Sequence, residues 1–322
     1  MKNKILILSG DPNSVNSEII SKSWKKIGKS LKRKIYLISN YNLLKEQFKK
    51  NNYNNQILKV KNIDEETSAH KLKIIDLNLN FTNPFKVKKK NASKFIINSL
   101  NYAHRLCINT KKIKGIINCS IDKKLLNKKK IGVTEYLAKK NKIKKNSEVM
   151  LIRNDKLSVC PITTHIDIKE IKRKINKKVI SEKIKTINKW FLKSYKKKPK
   201  IGVLGLNPHN AEFRKDSEEK KIIIPTILAL KKKGYKIEGP LVADTLFIHD
   251  YRNYDVIVGM YHDQVIAPFK TLFKFNAINT TLGLEYLRVS PDHGTAKDLI
   301  GKNKANAESL ISAIKFVNKF GK

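Results

Sequence analysis

The chain has 322 residues, 40% of them hydrophobic, enough for one large domain or two of ordinary size. No stretch reaches the roughly 18 apolar residues of a membrane span. The apolar run after Met1 is too short for a signal peptide, so a soluble cytoplasmic protein is expected. Lys and Arg number 69 against 27 Asp and Glu, a net charge of +42. The cations are spread along the whole chain, are mostly Lys, and accompany abundant Asn and Ile. That pattern fits the bias of an AT-rich coding sequence better than the Arg-centred surface of a base reader. No specific nucleic-acid partner is expected, although the field can speed capture of an anionic substrate. Cys107, Cys119 and Cys160 lack metal-type spacing and read as small buried hydrophobes.

In chain order, a strand at Ile5–Ser9 enters the turn that begins at Gly10, and a helix follows at Ser17–Ile27. A strand fits Lys34–Ile38, a helix Ala92–Cys107 and a strand Gly115–Asn118. The Lys/Asn-rich stretch Asn51–Lys90 reads as an extended or hairpin insertion. A second block begins near Gly132 with a helix at Thr134, then strands at Glu148–Ile152 and Leu157–Pro161 and helices at Ile168–Ile175 and Glu182–Tyr195. Ile201–Leu206 is apolar throughout, as a central parallel strand should be. A helix from Glu219 to Lys233 with Gly234 as its cap, a strand at Asp255–Met260 and a helix at Ala305–Phe320 close the pattern. Strands alternating with helices predict α/β architecture around parallel sheets.

Of seven histidines, four sit in polar junctions: His165, His209, His262 and His293. Parallel sheets bind ligands beyond the carboxyl ends of their strands, where Asn207-Pro208-His209 and Tyr261-His262-Asp263 fall. Neutral imidazoles suit Zn²⁺ or a related ion. From the residues alone, a metal site and unconnected loop histidines both remain open. His249 reads as structural. Neither Gly-x-Gly-x-x-Gly after the first strand nor a Walker loop is present, so a nicotinamide cofactor would need a non-Rossmann site.

Several motifs occur in a fixed order: Asn207-Pro-His209-Asn-Ala-Glu212, Gly239-Pro-Leu-Val-Ala-Asp244-Thr, Met260-Tyr-His262-Asp263-Gln264, Asn279-Thr-Thr-Leu-Gly-Leu and Arg288-Val-Ser-Pro-Asp292-His293-Gly-Thr-Ala. With them the chain resembles the 4-hydroxythreonine-4-phosphate dehydrogenase family of pyridoxal phosphate biosynthesis. The resemblance implies two α/β/α domains with a cleft between them, like isocitrate and isopropylmalate dehydrogenases. The boundaries expected are 1–130 plus about 300–322 for the first domain and 131–299 for the second. It implies a homodimer with shared active sites. It implies a divalent metal, Zn²⁺ first with Mg²⁺ and Co²⁺ as alternatives, on His165, His209 and His262, the last from the partner subunit. Substrate-binding roles fall on Thr134, Lys270, Asn279 and Arg288. The adenosine of NAD or NADP falls against His293, Gly294, Thr295 and Ala296, with Asn306 following. No residue is singled out as general acid or base.

The implied reaction oxidises 4-phosphooxy-L-threonine, a small phosphorylated amino acid, and decarboxylates it to 3-amino-2-oxopropyl phosphate. Three departures stand out. The family turn Gly-Asp/Glu-Pro-x-Gly-Ile-Gly-Pro-Glu is Gly10-Asp-Pro-Asn-Ser-Val-Asn-Ser-Glu18 here. Its Thr-Ala-Pro-Ile-Asn-Lys is Asn118-Cys-Ser-Ile-Asp-Lys123, and Val133 replaces a substrate-binding His. The departures leave as alternatives a related dehydrogenase of another phosphorylated hydroxy acid and a non-enzymatic polyanion binder on this scaffold.

Overall fold

The structure, a computed structural model, describes residues 3–65, 68–126, 132–141 and 147–321. Its strands are β1 (Lys4–Leu8), β2 (Ile35–Ser39), β3 (Ile57–Val60), β4 (Leu72–Asp76), β5 (Ile113–Asn118), β6 (Val149–Arg153), β7 (Ser158–Pro161), β8 (Ile201–Leu204), β9 (Ile237–Leu241), β10 (Val256–Gly259), β11 (Ile278–Leu282) and β12 (Leu287–Pro291). The chain divides into two compact units, Met1–Asn141 with Leu284–Lys322, and Lys142–Gly283.

The first unit holds a parallel sheet in the order β3-β4-β2-β1-β5-β12. Residues of β1 alternate between its faces. Leu6 and Leu8 join a core with Phe95, Ile96 and Leu100 of the Lys89–Asn109 helix. Ile7 lines a small apolar cavity with Ile20 and Trp24 of the Asn16–Lys26 helix and Leu310 and Ile314 of the Glu308–Phe320 helix. With both faces covered, β1 is apolar and buried from Ile5 to Leu8 and β2 is buried at every residue, as parallel strands require.

The second unit orders its strands β11-β6-β7-β10-β8-β9. The run β7-β10-β8-β9 is parallel, while β6 is antiparallel to both β7 and β11. The alternation separates two cores. Leu151, Val256 and Val258 face Ile180, Ile184, Ile187 and Phe191 of the Lys177–Tyr195 helix. Ile152, Val159 and Ile257 face Val265 and Phe269 of the His262–Phe273 helix.

Three readings change. Asn51–Lys90 is no hairpin insertion: β3 and β4 pair in parallel and extend the sheet beyond β2. Lys73 had disguised β4. It is 1% exposed, donates to the Arg33 carbonyl at 2.6 Å and lies 4.3 Å from the Tyr36 ring centre, and burial lowers its pKa to about 8. The units divide after Asn141 and before Leu284 instead of near 130 and 300, because β12 pairs with β5 and carries Arg288 and His293 into the first unit. The helix expected from Glu219 opens with a π-helical turn, Glu219–Ile223, and becomes α-helical over Ile224–Lys232, with Gly234 at φ +77° just beyond.

Candidate active site

In the second unit β7, β10 and β8 are parallel neighbours, so the chain leaves all three at one edge of the sheet. His165, His262 and His209 follow these strand ends within a few residues. The loop to His165 is latched to the end of β10. Thr163 donates to the Met260 carbonyl through its backbone N at 3.1 Å and its Oγ1 at 2.8 Å, and the Ile162 N–H reaches the Gly259 carbonyl at 2.8 Å. The latch sets the His165 and His262 rings with centroids 5.5 Å apart and planes 39° apart. His262 opens its helix, and its Nδ1 lies 2.6 Å from Asp263 Oδ1. With Nδ1 donating to that carboxylate, Nε2 keeps its lone pair, the arrangement of a metal-ligating imidazole.

The resemblance placed His262 on the opposite subunit from its fellow ligands, yet in this chain it lies beside His165. Among the described residues, no three His, Cys, Asp or Glu side chains gather closely enough to hold an ion. The structure therefore sets two of the three expected ligands side by side, and His209 does not complete with them a group close enough to hold an ion. Two imidazoles, one oriented by a carboxylate, fit a borderline cation that takes further ligands from elsewhere.

His209 sits in unusual backbone. From His209 to Phe213 five consecutive non-glycine residues have φ between +44° and +56°. For L-residues this left-handed conformation costs roughly 1–2 kcal/mol each, so the surroundings must impose it. The Glu219 carboxylate, 0% exposed, accepts from the backbone N–H groups of Leu206 at 2.7 Å and Asn207 at 2.9 Å and from Asn207 Nδ2 at 3.0 Å. Asn210 Nδ2 donates to the Pro240 carbonyl at 3.1 Å. A Cβ at Gly205 would collide with Asn210 Oδ1, so a larger residue there would have to displace the Asn210 amide. Gln264 bridges the turn's root to His262, donating to the Gly205 carbonyl at 2.7 Å and accepting from the Met260 N–H at 2.7 Å.

In the first unit, Arg288 on β12 is 3% exposed. Its Nε donates to Asn118 Oδ1 at 2.6 Å and its Nη1 to Thr134 Oγ1 at 3.3 Å. Burial lowers its pKa to about 10, opposed by the nearby Glu135 carboxylate, so it stays cationic at neutral pH. Val133, where the family carries His, packs on the apolar core of this unit. In the second unit, Asn279 on β11 has a buried Oδ1 that meets no donor among the described residues, an acceptor open to one. Lys270 lies on the His262–Phe273 helix.

The loop beyond β12 carries the cofactor candidates. His293 Nδ1 lies 2.9 Å from the Gly294 carbonyl, its Nε2 is buried with no partner among the described residues, and burial lowers its pKa. Space is open around Gly294, the Val15 N–H donates to the Thr295 carbonyl at 3.1 Å, and Ala296 adopts φ +43°. Asn306 has a structural task as well: its Oδ1 accepts from the Glu308 N–H at 2.8 Å at the start of the last helix. Asn118, Gln264 and Glu219 are the contributors that sequence reasoning did not weigh. Their signal was faint: polar residues at a strand end and at the starts of helices.

Two α/β units with polar and imidazole groups beyond their strand ends define an α/β enzyme scaffold with its candidate site at the strand ends. The crystal structure of 4-hydroxythreonine-4-phosphate dehydrogenase from Klebsiella pneumoniae superposes with a TM-score of 0.85 at 28% identity, covering 100% of this chain and 98% of that one. The chain is also 35% identical over 320 residues to 4-hydroxythreonine-4-phosphate dehydrogenase of Sulfurihydrogenibium sp., covering 97% of this chain and 96% of that protein. To the protein of the same name from Aquifex aeolicus it is 36% identical over 327 residues, covering 98% of each. Residues 31–317 match the family described as Pyridoxal phosphate biosynthetic protein PdxA, and the chain belongs to that family.

Proposed function

We propose that the chain is a metal-dependent oxidoreductase. It oxidises the secondary alcohol of 4-phosphooxy-L-threonine with NAD or NADP, and loss of CO₂ then gives 3-amino-2-oxopropyl phosphate. The observation that carries this reading is the His165–His262 pair with Asp263 on Nδ1, in a chain of this family. These imidazoles would hold a divalent ion, Zn²⁺ first with Mg²⁺ and Co²⁺ as alternatives, which would supply Lewis-acid polarisation of the alcohol, and NAD or NADP would serve as the hydride acceptor. His209 is the third ligand, in a cytoplasmic homodimer whose sites are shared.

The chain's own groups bind and orient. Arg288, held by Asn118 and Thr134, directs a fixed cationic fork at phosphate or carboxylate. Lys270 adds positive charge. The Asn279 carbonyl accepts from a substrate N–H or O–H. The His293–Ala296 loop receives the adenosine, with the His293 imidazole neutral because burial disfavours its charge. A second reading, a different phosphorylated hydroxy acid, draws on Val133, which has joined the core and offers no hydrogen bond. The test is metal analysis of the purified protein together with NAD⁺ and NADP⁺ reduction on each candidate substrate. Full turnover after exhaustive chelation would overturn the metal reading.

A further inference from the structure

The left-handed run from His209 to Phe213 is too long to hold itself, since non-glycine residues enter this region singly. Its entry is fixed at two points. Pro208 restricts its own φ and contributes no N–H. The two residues before it, Leu206 and Asn207, give both backbone N–H groups to a single atom, Glu219 Oε1, while Asn207 Nδ2 reaches Glu219 Oε2. Three donors thus converge on one fully buried carboxylate, and no ion pair of Glu219 is found among the described residues. The neighbouring Glu218 differs: it takes a bond from Asn207 Nδ2 at 3.0 Å and pairs with Lys172 at 2.9 Å, but touches no backbone N–H of the turn. The root of the same turn, Gly205, is tied by Gln264 to the helix that His262 opens.

We infer that Glu219 is a positioning residue: its carboxylate clamps the 206–207 backbone and thereby fixes His209 for ligation. The inference rests on the metal reading of His209, and it goes further by assigning the turn's conformation to one buried acid. Glu219→Gln preserves shape but turns one oxygen into a donor. An amide oxygen facing the two backbone N–H groups leaves its NH₂ opposed to Asn207 Nδ2, and the clamp opens. Glu219→Asp falls short by one methylene.

The test uses Zn²⁺ itself, by competition with a chromophoric chelator, alongside amide hydrogen exchange resolved to Leu206 and Asn207. Glu219→Gln is expected to weaken Zn²⁺ binding about 10–100-fold, as losses of groups that orient metal ligands do. Protection should fall at 206–207 and persist in β8 and β10. Glu218→Gln is the control, with near-normal affinity and protection. Unchanged Zn²⁺ affinity in Glu219→Gln overturns the inference, as does loss of protection spread evenly over the whole unit, which marks general destabilisation. A wild-type protein that binds no Zn²⁺ would overturn the metal reading instead, while the exchange at 206–207 would still report whether the clamp holds the turn.

Discussion

Asn16 and Ser120, 104 residues apart, exchange two hydrogen bonds: Asn16 Nδ2 donates to the Ser120 carbonyl at 2.8 Å and Ser120 Oγ donates to Asn16 Oδ1 at 2.8 Å. Each stands where the family pattern has another residue, glycine for Asn16 and proline for Ser120. The two departures are therefore one feature, a reciprocal pair joining the first turn of the chain to the end of β5. Neither had a visible reason in the sequence because its partner lay so far away.

The pair predicts non-additive stability. Ser120→Pro alone strands a buried Asn16 oxygen, and Asn16→Gly alone strands the serine hydroxyl. Each should cost about 1–3 kcal/mol. The double variant should cost less than the sum, with a coupling of about 0.5–3 kcal/mol in a denaturant-melt cycle. Strict additivity would show that the two positions are independent.

A second prediction concerns the source of the third imidazole. His165 and His262 lie together, and no third ligand completes the group within one chain among the described residues. His165→Ala and His209→Ala should each be inactive. Refolded together, half of random dimers would be mixed, and each mixed dimer would regain one intact shared site, about a quarter of wild-type activity. A mixture as inactive as its components would place all three ligands on one chain.

Acid stability follows from two partly buried imidazoles. Burial depresses the pKa of His293, and burial with Lys140 nearby depresses that of His104. Below their unfolded value of about 6.5 the unfolded chain takes protons more readily than the folded one. Their contribution is thus whole above that pH, is lost as pH falls, and levels off below the depressed folded values. Melting temperatures followed from neutral pH toward pH 5 should drop, and less steeply in His104→Gln/His293→Gln. Equal slopes would show that other groups govern the loss.

What the sequence made legible was periodicity. The apolar runs of β1, β8 and β10 and the histidines just past β8 and β10 could be seen because burial on both faces leaves a continuous signature. β4 and β12 escaped because each buries a cation, Lys73 and Arg288, that is tolerable only through an acceptor distant in sequence, the Arg33 carbonyl or the Asn118 amide. The role of Glu219 was hidden for a related reason. Three N–H groups converging on a carboxylate are a property of the folded turn, and a glutamate opening a helix looks like any first-turn acid.

Arg288 carries the last prediction. Its charge is buried, and its Nε and Nη1 are fixed by Asn118 and Thr134. In the proposed role as a ligand of a substrate anion, it would offer direction as much as charge. Arg288→Lys keeps the charge but has neither the fork nor the nitrogen that meets Asn118. If direction matters, kcat/KM for the phosphorylated substrate should fall about 100-fold or more, chiefly through KM. Asn118→Ala leaves the guanidinium in place but frees its Nε, and should cost about 10-fold by the same route. Because the Asn118 bond acts only through the arginine, adding Asn118→Ala to Arg288→Lys should cost little more. Wild-type KM in Arg288→Lys would mean that a bare positive charge suffices. Full additivity of the two substitutions would mean that Asn118 touches the substrate itself, and circular dichroism of each variant checks that the fold of the first unit has survived.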